Sequence, residues 1–231
     1  IVEIHNVRNF DYRTETDRDE IWETRTYDLN KLTGFDIFFS YWGSPHIAHT
    51  IVSWQFSDGP PLSISIETRR EVGEEYSALR GFFRQFELYY VVADEKDLIR
   101  LRTTIRDEQV FLYRLPAPAS VARKILLDYL STINSLRDSP AWYNAASHNC
   151  TTSIRHHVDR VVGAKPWSWQ IALNGHLPER AYREGTFGRH SSFADFQTRS
   201  NVSKIGALAG DRSDFSEVIR KNVPPRPKPR S

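Results

Sequence analysis

The chain has 231 residues, enough for one sizeable domain, and its 39% hydrophobic and 26% charged residues exclude a disordered chain, a collagen and a long coiled coil. Its 31 Lys and Arg nearly balance 29 Asp and Glu, and a net charge of +2 lacks the basic excess with which nucleic-acid binders neutralise phosphate. No apolar run reaches the roughly 18 residues that a bilayer-spanning helix needs.

Residues 1–115 read as strand-rich. Residues 34–42 are aromatic and β-prone, and 46–56 form a second strand that ends at the turn Ser57-Asp-Gly-Pro-Pro61. Residues 62–70 alternate apolar and polar with period 2, and 85–93 and 109–115 are further strands. Between these last two, 94–106 reads as a helix capped by Asp94, with Asp97 three residues on as a capping partner. The second half is helical. Over 118–137, Val121, Ile125, Leu126, Tyr129, Leu130 and Ile133 share one side at helical spacing. Pro140 breaks the chain, and a helix over 149–162 follows, with Asn149 as N-cap and Gly163 as its stop. Shorter helices are expected near 178–183 and 192–199. Strands first and helices later predict an α+β domain over 1–222, an antiparallel sheet with helices packed on one side. The Pro-rich, basic end at 223–231 reads as an extended linker or frayed terminus.

The single cysteine, Cys150, excludes an internal disulfide and a multi-thiolate metal site. It falls at the start of a predicted helix, where unpaired N–H groups and the positive end of the dipole favour thiolate over thiol. His49 lies inside a strand, on a face it shares with Ile47, Ile51 and Ser53. A strand-borne imidazole among mixed neighbours suits a general base, and equally a hydrogen-bonded structural histidine. His46, at the strand edge, ranks below it. Glu67 follows from the turn. If Phe56 pairs with Leu62, Glu67 lies diagonal to His49; a register shorter by two pairs them directly. Either way the two share a face. A nucleophilic thiol needs a base, and the base needs an orienting group, which Cys150, His49 and Glu67 would supply. His156 and His157 are adjacent on a helix and so do not share a face, and no metal or cofactor is expected. Phe82, Phe83 and Phe86, and Trp167 with Trp169, would suit a membrane interface or a core.

The run Ala48-His-Thr-Ile-Val-Ser-Trp-Gln-Phe56, then Asp58-Gly59 and Ile64-Ser-Ile-Glu-Thr-Arg-Arg70, resembles the N-terminal periplasmic domain family named after the bacterial lipoprotein N-acyltransferase Lnb. So do Phe82-Phe-Arg-Gln-Phe-Glu-Leu88, Asp94-Glu-Lys-Asp-Leu-Ile-Arg-Leu-Arg102 and Trp142-Tyr-Asn with Asn149-Cys-Thr-Thr152. A histidine followed by a cysteine at a helix start also resembles circularly permuted papain-like transferases such as lecithin:retinol acyltransferase. The resemblance implies a permuted papain-like arrangement in the periplasm, tethered to the inner membrane by segments outside this sequence. It implies acyl transfer from a lipid ester to an amine such as a lipoprotein N-terminus, with Cys150 as nucleophile, His49 as base and Glu67 as its partner. Asn149, Tyr143 and Arg69, in the same motifs, are the substrate contacts it implies. The expected partners are phospholipid or lipoprotein substrate and a membrane surface, with no nucleic acid. A cysteine hydrolase of a peptidoglycan amide or lipid ester, and a non-catalytic periplasmic binding module, are the alternatives.

Overall fold

Residues 1–69, 86–139, 142–143, 150–163, 173–188 and 190–229 are described by the structure, a computed structural model. Strand β1 (Val2–Arg8) precedes a small hairpin of β2 (Asp11–Tyr12) and β3 (Arg18–Asp19), followed by β4 (Trp22–Tyr27). Then come β5 (Leu32–Tyr41), β6 (Ala48–Phe56), β7 (Leu62–Arg69) and β8 (Phe86–Asp94). Helix α1 (Glu95–Arg100) runs into a π-helical turn at Leu101–Ile105, and β9 (Gln109–Arg114) follows. Next are α2 (Ala119–Leu136), β10 (Trp142–Tyr143) and α3 (Cys150–Val162). The turn Asn174–His176 then leads to α4 (Leu177–Arg183), α5 (Phe193–Ser200), α6 (Ser203–Ala209) and α7 (Phe215–Val218). Among the described residues the main sheet runs β4-β1-β8-β7-β6-β5-β9, with β10 on β8. Its ladders are antiparallel except for the parallel contact of β1 with β8.

The predicted α+β class holds, but the helices cover both faces of the sheet rather than one. On one face Val52, Trp54, Ile64 and Ile66 pack on Ala122, Ile125, Leu126 and Tyr129 of α2, with α3 alongside. The indole of Trp54 donates to the carbonyl of Ala122 at 3.0 Å. Phe39, Phe111 and Tyr113 continue this face beneath Phe187 and Phe196. On the other, Phe38, Ile51, Val91 and Leu112 meet Leu98 and Ile99 of α1, Ala209 of α6 and Phe215 of α7. The cause lies in β5 and β6, where apolar residues occupy consecutive positions instead of alternating, so both sides need cover.

Local departures have equally local causes. Asp94 caps α1 as predicted, accepting from the Lys96 amide at 2.8 Å. Asp97 does not reach back to complete a capping box. Buried, it is taken by Arg8, whose Nη2 donates to it at 2.6 Å, and by the Phe10 amide. The Pro-rich end is extended but attached. Val223 is buried, and the Arg226 guanidinium donates to the carbonyls of Phe35 and Leu115 and to Asp36. Of the described residues, no helix is long and apolar enough to cross a membrane.

Candidate active site

Strands β6 and β7 pair through Ile51–Trp54 against Leu62–Ser65, which is the shorter of the two registers the sequence allows. Pro60 and Pro61 cannot donate to a ladder, so pairing starts at Leu62, and its partner is Trp54 rather than Phe56. Phe56 pairs instead with Leu32 of β5. Past Ile51 and Ser65 the strands are bridged by side chains. His49 Nε2 lies 2.6 Å from Ser65 Oγ and 3.2 Å from Glu67 Oε1, and Ser65 Oγ donates to the same carboxylate oxygen at 2.7 Å. The two strand residues chosen from the sequence therefore meet.

This arrangement fixes the imidazole. Ser65 spends its proton on Glu67, so the hydrogen bond at Nε2 is an N–H donated by the ring. Nδ1 is then the nitrogen that accepts a proton. Glu67 is in turn held by Arg102, whose Nη2 donates to Oε1 at 3.1 Å from a side chain only 3% exposed. Burial alone would raise the Glu67 pKa. The charge and hydrogen bond of His49, with Arg102 and Ser65, outweigh it and hold the carboxyl well below its usual range. A fixed anion at Nε2 favours a protonated His49. Ser65 and Arg102 were not foreseen.

Cys150 is the first residue of α3, as the sequence predicted. Its neighbour Thr151 places Oγ1 3.4 Å from Oγ1 of Thr50, the residue after His49. The start of α3 thus lies against the strand that carries the imidazole, and α3 also packs on β7. His49 and Thr50, consecutive on β6, point to opposite faces of the sheet. Asn174 ties this region together through Ala48, Thr50 and Thr151 and was likewise not foreseen. Asn149 and the side chains of Cys150, Tyr143 and Arg69 lie outside the described residues, as do Phe82, Phe83, the side chain of Phe86, and Trp167 and Trp169.

Three other described histidines serve other ends. His46 Nδ1 and His176 Nε2 are 2.9 Å apart on the surface. His157, 1% exposed, sits between Asp128 at 2.6 Å and the Tyr90 hydroxyl at 2.8 Å. The described residues contain no group of three or more His, Cys, Asp or Glu able to hold a metal ion.

Residues 18–175 match the model of the family described as the Lnb N-terminal periplasmic domain. No curated protein and no solved structure matches the chain.

Proposed function

Because the chain belongs to the Lnb N-terminal periplasmic domain family, we propose that this periplasmic domain is a cysteine acyltransferase that moves an acyl chain from a lipid ester to an amine. The observation that carries the reading is the linked set His49, Ser65, Glu67 and Arg102. It presents an imidazole with a defined proton acceptor, one residue from the strand position that touches the start of α3. Sheet pairing between β6 and β7 ends at Ile51 and Ser65, two residues short of His49 and Glu67.

In this reaction His49 Nδ1 takes the proton of Cys150, and the thiolate bonds to the ester carbonyl carbon. The ester C–O bond breaks, and His49 returns the proton to the departing lipid alcohol, leaving a thioester. The positive end of the α3 dipole, at Cys150, stabilises the oxyanion. An amine then attacks the thioester carbon and gives its proton to His49. The C–S bond breaks, and Cys150 returns to its starting state. The phospholipid donor, the lipoprotein N-terminus as acceptor and anchorage at the inner membrane belong to the same proposal.

The test incubates the protein with phospholipid vesicles, with and without a lipopeptide bearing a free N-terminal amine, and follows acyl mass on Cys150. The expected result is a thioester adduct that disappears as N-acyl peptide forms, and no product from Cys150→Ala. Fatty acid release unaffected by the amine would reassign the site to hydrolysis. Full transfer by Cys150→Ala would remove the nucleophile.

A further inference from the structure

Asn174 is 4% exposed, and its side-chain amide satisfies groups on both sides of the candidate site. Its Oδ1 accepts from the Ala48 amide at 2.8 Å, and its Nδ2 donates to the Ala48 carbonyl at 2.5 Å. The same Nδ2 lies 2.6 Å from Thr151 Oγ1 and 3.3 Å from Thr50 Oγ1. Ala48 and Thr50 flank the proposed base, and Thr151 follows the proposed nucleophile. One planar amide therefore spans the two elements that must be held in register.

The turn carrying this amide is itself anchored. The Gly175 amide donates to the His46 carbonyl at 3.0 Å, and the Tyr41 hydroxyl donates to the Gly175 carbonyl at 2.8 Å. A Cβ on Gly175 would come within 2.2 Å of the Pro45 carbonyl oxygen, so only glycine allows this approach. Asn-Gly is thus the pair that a rigid, closely apposed clamp requires at this point.

We propose that Asn174 is a positioning residue that sets the distance between Cys150 at the start of α3 and His49 on β6, with Thr151 as its hydroxyl partner. This rests on the acyltransferase reading of the pair. Its chemistry is geometric: proton transfer from thiol to imidazole needs hydrogen-bond reach, and displacing the helix tip by about 1 Å is enough to lose it.

The experiment is the pH profile of iodoacetamide alkylation in the intact chain, where Cys150 is the one cysteine and its labelling is unambiguous. The wild type is expected to react with a midpoint well below the about 8.5 of an unperturbed thiol. His49→Ala should move that midpoint upward. Asn174→Ala and Thr151→Val should also move it upward and lower acyl transfer tenfold or more, while Thr151→Ser, which keeps the hydroxyl, retains both. Thermal unfolding is measured beside each profile, since a purely structural role would lower the melting temperature and leave the midpoint in place. If Asn174→Ala does not fold, the Thr151 pair decides. An unshifted midpoint in folded Asn174→Ala or in Thr151→Val overturns the inference while leaving the wild-type pair intact. A wild-type midpoint near 8.5 that His49→Ala does not change overturns the underlying reading instead.

Discussion

At Glu67 three donors converge on one oxygen, and the consequences are measurable in two ways. Glu67→Gln keeps the shape but replaces the anion that faces His49. Alkylation of Cys150 at pH 6 is expected to slow by about tenfold or more, since a weaker imidazolium partner disfavours the thiolate. The second readout is acid stability. The folded carboxyl titrates below its ordinary value of 4.5. The unfolded chain therefore binds its proton first, and the stabilisation present above pH 4.5 is lost as pH falls below it. Urea midpoints from pH 5 downward should decline less steeply in Glu67→Gln than in the wild type; parallel slopes would sink the assignment. The pairing of His49 with Glu67 was legible, because period 2 and any even register keep both on one face. Arg102 was not, since a helical pattern does not tell a buried arginine from a solvated one.

Among the elements, α3 carries a buried imidazole that is set up oppositely to His49. His157 has Asp128 at Nδ1 and receives the Tyr90 hydroxyl at Nε2, with the Tyr129 ring stacked 3.7 Å away between centroids. Arg160 Nη2 also lies 2.8 Å from Nδ1, so at that nitrogen the ring faces a cation as well as an anion. Burial is the main cause that pushes its pKa from 6.5 down to about 4; Arg160 adds to the push, and Asp128 opposes it without prevailing. Above pH 6.5 neither state is protonated and the residue is neutral for stability. Below it the unfolded chain takes a proton that the folded one refuses, so stability falls until about pH 4, at roughly 1.4 kcal/mol per pH unit. His157→Gln should flatten this slope in urea titrations between pH 6.5 and 4.5, whatever its effect at neutral pH, and an unchanged slope would argue against a neutral His157. The helix itself was readable from the cap expected at Asn149 and from Gly163, which ends it at a φ of +89°. Strand β1 was not. A register shift between Ile4 and Val7 and a positive φ of 59° at Asn6 break its alternation. Helix α6 also escaped, being only seven residues with Gly206 inside, where Thr103 packs too closely to admit a larger side chain.

At the scale of the molecule, the two-sided cover of the sheet is completed by its C-terminal end. Asp36, on β5, is fully buried and faces three cations: Arg226 Nη2 at 2.6 Å, Arg220 Nη2 at 3.0 Å and Arg114 Nε at 3.8 Å. Arg220 also holds the buried Glu95 at 2.6 Å, which links α1 to the stretch just after α7. Both faces could be inferred from the consecutive Ile37, Phe38 and Phe39 of β5. The docking of Arg226 could not, because a Pro-rich basic stretch has the same composition whether it lies on a protein or in solvent. The chemistry of the docked state decides what truncation does. Removing residues 223–231 takes away one of the charges on Asp36 and two donors to the Phe35 and Leu115 carbonyls. Arg220 and Arg114 remain, so the loss should sit at the low end of that for breaking a buried ion pair, about 3 kcal/mol. Arg226→Ala in the full chain should reproduce most of it, because that side chain makes the polar contacts. Urea unfolding at neutral pH measures both. A truncated chain as stable as the parent would make the end a linker after all. A loss on truncation that Arg226→Ala does not share would shift the weight to the buried Val223 and Pro224.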